Sequence, residues 1–251
     1  MKLGRVQSKD DARTLKLDNY LFVPEIPVPP AKELLDTTTA WPMLANDKFN
    51  CCTSAAAGHM VHHWTAANSQ GVFLTDEDII RAHATLTGDR LMECVTMLDA
   101  LKYWRKAGIG DHRIHSFVQA HQGDASQLRC IIHLFGSAYL GLDLPRFACA
   151  GTPTGWPSIV WTVPEALNPE DTAPQPDNGH CVTAVGYGPE GVYVVTWGTL
   201  KTMSWSFFQA YNVEAYAVLS SDWARDSEAS PTGFPFSKLK QDLHEVELLR
   251  A

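Results

Sequence analysis

Cys52 and His180 are the two side chains of this sequence best suited to covalent chemistry together. Cys52 follows Asn46-Asp47-Lys48-Phe49-Asn50-Cys51 and leads into the small-residue run Thr53-Ser54-Ala55-Ala56-Ala57-Gly58. His180 follows Asn178-Gly179 and starts the run Cys181-Val182-Thr183-Ala184-Val185-Gly186-Tyr187-Gly188. A thiol attacks as thiolate, and a helix N-terminus or a neighbouring imidazolium lowers its pKa. A histidine facing the sulfur can take its proton and pass it to the leaving group during acyl transfer. A helix start is read from sequence only to within about a residue, so Cys51 stands as the other candidate nucleophile. His59, His62 and His63 have the i, i+3, i+4 spacing of a metal-binding helix face. No cysteine or carboxylate partner accompanies them, so core or surface histidines are the expectation, with no metal and no organic cofactor.

Presenting these groups requires a helix for the thiol and a strand for the imidazole. From Cys52 to about Trp64 there is no proline, and the alanine run favours a buried helix that other elements can approach closely. Thr75-Asp76-Glu77-Asp78 before Ile79-Ile80 is a capped helix start whose acids complement the dipole, and Leu91 to Lys106 carries apolar residues at helical spacing. His112 to Val118 reads as a short strand, Asp124 to Phe135 as a helix capped by Asp124, and Ser137 to Asp143 as a strand. Residues 145–178, rich in Pro, Gly and Thr and holding Trp156 and Trp161, read as a long loop whose tryptophans anchor it, line a substrate rim or touch a partner. His180 to Tyr187 and Gly191 to Trp197 flank Gly188-Pro189-Glu190-Gly191 as a hairpin. A short helix over Trp205 to Tyr211 and a strand over Ala215 to Leu219 follow. The first half is thus mostly helical and the second strand-rich.

The flanks differ from this body. Residues 1–41 contain Val23-Pro24-Glu25-Ile26-Pro27-Val28-Pro29-Pro30, whose prolines cannot donate to a sheet interior, and read as an extended arm on the surface or on a partner, outside the core. Residues 222–251 read as a polar tail ending in an amphipathic helix from Ser237 to Leu249. Between them lie a helical lobe over 42–118 and a sheet-rich lobe over 119–221.

The chain has 251 residues, 45% of them hydrophobic, enough for a large core without staples. Its formal net charge of −8 and the lack of a basic stripe argue against nucleic acid and against an anionic membrane surface as partners. No apolar stretch resembles a signal peptide or a membrane span, which leads to the expectation of a cytoplasmic protein. Six cysteines without paired Cys-x-x-Cys spacing read as free thiols, and a bridge between adjacent Cys51 and Cys52 would be strained.

These motifs resemble the papain-like cysteine peptidase superfamily. The most specific part is Gly179-His180 with Ala184-Val185-Gly186-Tyr187-Gly188, followed by Trp197-Gly198. The resemblance implies an α+β papain-like two-lobed fold, with a helical lobe and an antiparallel sheet lobe facing each other across a cleft. It implies Cys52 as nucleophile, His180 as general base and acid, and Asn46 in the oxyanion hole where the family has glutamine. The third catalytic residue, normally asparagine, falls on Thr196 counting from His180 and on Val195 counting back from Trp197-Gly198; Thr196 can accept the imidazole's hydrogen bond and Val195 cannot. Trp197 would shield that bond, and Trp197 and Trp156 are the candidate substrate-binding residues. The chain departs from the family in having Asn50-Cys51 before the nucleophile and in lacking a recognisable inhibitory pro-segment, although the arm could lie near the cleft.

Asn46 to Thr53, Asn178 to His180 and Val195 to Gly198 are similar to motifs of uncharacterised phage and prophage proteins of this superfamily. The implied activity is hydrolysis of an amide, peptide-type bond in a peptide or protein substrate. The rival reading is a phage virion or assembly protein that keeps the fold as a scaffold, contacts capsid or other virion proteins, and works in the bacterial host cytoplasm or on the particle.

Overall fold

The computed structural model describes residues 1–20, 26–32, 40–149, 160–165, 168–224 and 237. In chain order its elements begin with β1 (Arg5–Val6), α1 (Cys52–Ala67), α2 (Asp76–Thr87), β2 (Val95–Thr96), α3 (Met97–Lys106), β3 (Ile114–Gln119), α4 (Ala125–Phe135) and β4 (Ala138–Asp143). They continue with β5 (Val160–Trp161), α5 (Pro169–Thr172), β6 (Gly179–Tyr187), β7 (Gly191–Thr196), β8 (Thr199–Ser204), α6 (Trp205–Tyr211), β9 (Asn212–Ser220) and α7 (Ser221–Ala224).

Helix α1 is the spine. Every residue from Cys52 to Ala66 is buried: the small side chains of its first turns let other elements close on it, and its later histidines are covered as well. A Cβ on Gly58 would lie 2.7 Å from Leu44 and 3.0 Å from Ile79, so the absence of a side chain there is what lets the preceding turn and α2 close on the helix. Helix α2 starts with the expected capping box, Thr75 and Asp78 each accepting from the other's backbone N–H. Helix α3 is shorter than its periodicity suggests: it begins at Met97, capped by Thr96, because Val95 and Thr96 are drawn into a strand pair with β1.

The large sheet has the order β3-β9-β4-β6-β7-β8-β5, antiparallel except for the β5–β8 pair. Its two faces feed two cores. Tyr139, Cys181, Tyr216 and Val218 face α1, whereas Leu140, Leu142, Val182, Ala184, Val192 and Val194 pack with α4 and α6 on the other side. Two polar side chains on the α1 face tie the helix to the sheet near its start: Tyr139 donates to the Thr53 carbonyl at 2.8 Å and Thr183 to the Ala56 carbonyl at 2.6 Å. Strand β8 is the longest element that sequence periodicity misses. Its inward positions include Lys201, which is buried with its ammonium 5.4 Å from the Trp161 ring, so a charged residue stands where an apolar one would have signalled a strand.

The amino-terminal arm departs most from expectation. Instead of lying outside the core, Gly4, Arg5 and Leu17 are buried. Residues 2–6 thread between α1's approach and the start of β6, bonded to the Asn46 and Gly179 carbonyls. The expected helix over Ser237 to Leu249 lies outside the described residues, Ser237 apart, as does Trp156.

Candidate active site

Cys52 is the first residue of α1 and is fully buried. Burial pushes its thiol up to about 12, against the opposing pull of the Cys181 backbone N–H, the Arg5 guanidinium and the Thr53 backbone N–H. The sulfur therefore meets the residue next to His180. Cys51 is the N-cap, and its Sγ lies 3.5 Å from the Leu44 carbonyl, turned toward the preceding turn rather than the sheet. Burial lifts its thiol to about 12 as well.

His180 is fixed from two sides. Its Nε2 is hydrogen-bonded to Thr196 Oγ1 at 2.6 Å, and its ring stacks on Trp197 with centroids 4.3 Å apart and planes 20° from parallel. Thr196 ends β7 and pairs with Thr199 at the start of β8, and Trp197-Gly198 is the two-residue connection. Both connecting residues have positive φ, 47° for Trp197 and 67° for Gly198, as a tight hairpin of this hand requires. For a tryptophan that backbone costs about 1–3 kcal/mol, and it is what lays the indole on the imidazole. With the ring proton on Nε2 the threonine hydroxyl accepts it. Nδ1 is then the basic nitrogen, and it is buried with no hydrogen-bond partner among the described residues, Cys52 Sγ included. Burial, aided by the charges of Arg5 and Lys201, holds the imidazole down at about 3.

Of the other expected residues, Asn46 is buried and its Nδ2 donates to the Phe49 carbonyl at 3.3 Å. Trp197 is buried, and its Nε1 donates to the Lys2 carbonyl at 2.9 Å. His59, His62 and His63 are core residues: they bond the Pro42 carbonyl, the Val72 carbonyl and Ser137 Oγ at 2.8, 3.2 and 2.7 Å. No group of three or more potential metal ligands occurs among the described residues.

The arm is expected on the surface or near the cleft, but nothing in the sequence singles out residues 2–6 as the part that enters it. The Lys2 N–H donates to the Asn46 carbonyl at 3.0 Å, the Gly4 N–H to the Gly179 carbonyl at 3.2 Å, and the Val95 N–H to the Gly4 carbonyl at 2.9 Å. Residues 2–4 are thus an extended peptide bonded to both lobes, continued by β1 on β2. Gly4 fits because it has no side chain: a Cβ would stand 1.9 Å from the Asn50 carbonyl oxygen. Arg5 reaches the cleft floor, where Nη1 donates to Glu214 Oε1 at 2.9 Å and Nη2 bonds Asp143. An arginine in a stretch with no periodicity is the sole signal that could have pointed there.

The fold that positions these residues is shared with solved structures of papain-like cysteine proteases. Xylellain, a cysteine protease from Xylella fastidiosa, has a TM-score of 0.68 at 12% identity, over 86% of this chain and 95% of its own. A procathepsin B from Trypanosoma congolense gives 0.58 at 11% identity, over 87% and 86%. The Carica candamarcensis protease CMS1MS2, in complex with E-64, gives 0.54 at 12% identity, over 76% and 99%. No family model and no curated protein matches the chain. At such identities the likeness is one of fold: the chain has the two-lobed α+β fold of the papain-like cysteine proteases.

Proposed function

We propose that this chain is a papain-like cysteine hydrolase that cleaves an amide, peptide-type bond, with Cys52 as nucleophile and His180 as its base and acid. The observation that carries this reading is the clamped imidazole. Thr196 and Trp197 hold the ring with Nδ1 lacking a hydrogen-bond partner among the described residues, and the backbone N–H of the adjacent residue Cys181 points at the Cys52 sulfur. Opening the cleft to a substrate would let Nδ1 take the thiol proton while Thr196 Oγ1 keeps the Nε2–H. The thiolate then adds to the acyl carbon, and the oxyanion is stabilised by the Cys52 N–H, which in the first residue of α1 has no acceptor within the helix, and by Asn46 Nδ2 turned from Phe49. His180 returns the proton to the leaving amine, and water releases the acyl group by the same path. Thr196 acts here as a positioning residue.

Cys52 is favoured over Cys51 because the Cys51 sulfur is engaged by the Leu44 carbonyl on the far side of the helix start. A thiol-reactive acyl probe, read by peptide mapping so that exposed Cys94 and half-buried Cys149 are scored separately, tests the assignment: it should label Cys52 slowly in the wild type and at the same rate in Cys51→Ala, and Cys51 should stay unlabelled in Cys52→Ala. Labelling of Cys51 in place of Cys52 overturns it. Unreactive Cys52 in a folded protein with the cleft opened would favour the scaffold reading, in which virion proteins are the partners.

A further inference from the structure

Arg5 alone among the side chains of residues 1–6 is carried to complete burial, its guanidinium held between Asp143 at the end of β4 and Glu214 in β9. Neither lobe owns it: it arrives on a peptide attached to the cleft walls by the backbone bonds of Lys2 and Gly4. The pocket is shaped around its stem. A Cβ on Gly141 would come within 3.0 Å of Arg5 Cδ, and one on Gly179 within 3.2 Å of Nη2, so two strand positions without side chains make the room.

Its chemistry is specific too. Two carboxylates from separate strands match the fork of a guanidinium better than the single point of an ammonium. Tyr216 donates to Glu214 Oε2 at 3.1 Å and the Ser8 N–H to Oε1 at 3.1 Å, which keeps that carboxylate aimed. Burial and the neighbouring Glu214 raise the Asp143 pKa while Arg5 lowers it, so the pocket is an unfavourable place for its own acids unless a cation fills it. Asp143 pairs in register with Gly179, the residue before His180, which puts the pocket beside the proposed catalytic pair. A cavity of about 510 Å³ lined by Ser8, Leu98, Glu214 and Tyr216 opens next to it.

We infer that the Asp143–Glu214 pocket is a specificity subsite for an arginine side chain of an extended peptide substrate, occupied by the chain's own Arg5 until residues 1–6 leave the cleft. As a substrate subsite it rests on the hydrolase reading above. Arg5 is therefore a built-in stand-in for the substrate residue. It is not cut where it lies: the Lys2 and Gly4 carbonyls are taken by Trp197 Nε1 and the Val95 N–H, away from the Cys52 N–H.

The test uses the full chain with Arg5→Ala, checked for folding by circular dichroism, and calorimetry with a blocked arginine tripeptide amide against its norleucine counterpart. The arginine peptide should bind about ten- to a hundredfold tighter, the range that charge-assisted bonds to the two carboxylates imply. Adding Glu214→Gln should erase the preference. Equal affinities in the folded variant, or a preference that survives Glu214→Gln, overturn the inference. If Arg5→Ala does not fold alone, the arginine tripeptide should restore its circular-dichroism signal and the norleucine tripeptide should not, and equal restoration by the two overturns the inference. Arginine-selective binding with an unreactive Cys52 would sustain the pocket and sink the hydrolase reading. A reactive Cys52 with no arginine preference would do the reverse.

Discussion

Two buried polar clusters sit side by side in the cleft, and they solve the problem of burial in opposite ways. Cys52 and His180 are kept neutral: the thiol is pushed up to about 12 and the imidazole down to about 3, each chiefly by desolvation. Arg5, Asp143 and Glu214 bring a permanent cation against two carboxylates. The difference lies in what each group can surrender. A thiol and an imidazole escape burial by shedding charge, whereas a guanidinium cannot be deprotonated in a protein and must be paired. The clusters are also coupled, because Arg5 opposes protonation of His180 and favours the thiolate of Cys52. One segment therefore acts by its charge on both halves of the proposed catalytic pair and fills the neighbouring pocket.

The sharpest way to break the contrast is to remove the cation. Arg5→Ala should destabilise the fold by about 3–5 kcal/mol in urea unfolding at pH 7, because it leaves buried carboxylates uncompensated. Asp143, already raised by burial, would then hold a proton in the folded state at pH values where the unfolded chain has lost it. Stability of the variant should thus fall as pH rises above the ordinary carboxylate range and recover as pH is lowered toward it. A loss that is flat between pH 4 and pH 7 would show that the acids were not charged partners.

On the neutral side, Thr196→Val should slow acyl-probe labelling of Cys52 by about ten- to a hundredfold, the effect of one lost buried hydrogen bond on the imidazole. Thr196→Ser should restore most of the rate. A merely structural threonine would give equal losses for both substitutions.

Buried neutral histidines make a pH signature of their own. His63 is held down at about 3 by burial, so below about pH 6.5 the unfolded chain binds a proton that the folded chain refuses, and stability falls as pH drops. His63→Gln, able to keep a bond to Ser137, should flatten the stability curve between pH 6 and pH 4 by about 1.4 kcal/mol per pH unit. An unchanged slope would mean that His63 is charged in the fold. The smallest effect is expected from Trp197→Phe, which keeps a ring on His180 but loses the bond to the Lys2 carbonyl. It should cost about 1 kcal/mol and speed labelling severalfold by loosening the segment. Slower labelling would mean that the indole matters more to the imidazole than to residues 2–6.

Much of the neutral cluster could be read from local pattern. An uninterrupted small-residue run announces α1 and puts Cys52 at its start, and β-branched residues between Gly179 and Gly188 announce β6 with His180 at its head. Thr196 and Val195 were separable only by chemistry until the β7–β8 turn placed the threonine hydroxyl on Nε2. The ionised cluster was not legible at all. Arg5 meets partners 138 and 209 residues away, and β1 is two residues long with its partner β2 far along the chain, so no periodicity marks it. Lys201 hid β8 for a related reason, since a lysine on an inward position reads as solvent-facing until an aromatic ring covers it.

The sequence by itself determined the helix that carries the thiol and the strand that carries the imidazole, because propensity and hydrophobic period are local properties of the chain, while the two-lobed class of fold followed from the resemblance its motifs carry. Only the tertiary structure decided what fills the cleft and which pocket it fills. Those depend on a guanidinium meeting carboxylates from two distant strands, and on glycines whose missing side chains matter only once another segment lies within 3 Å of them.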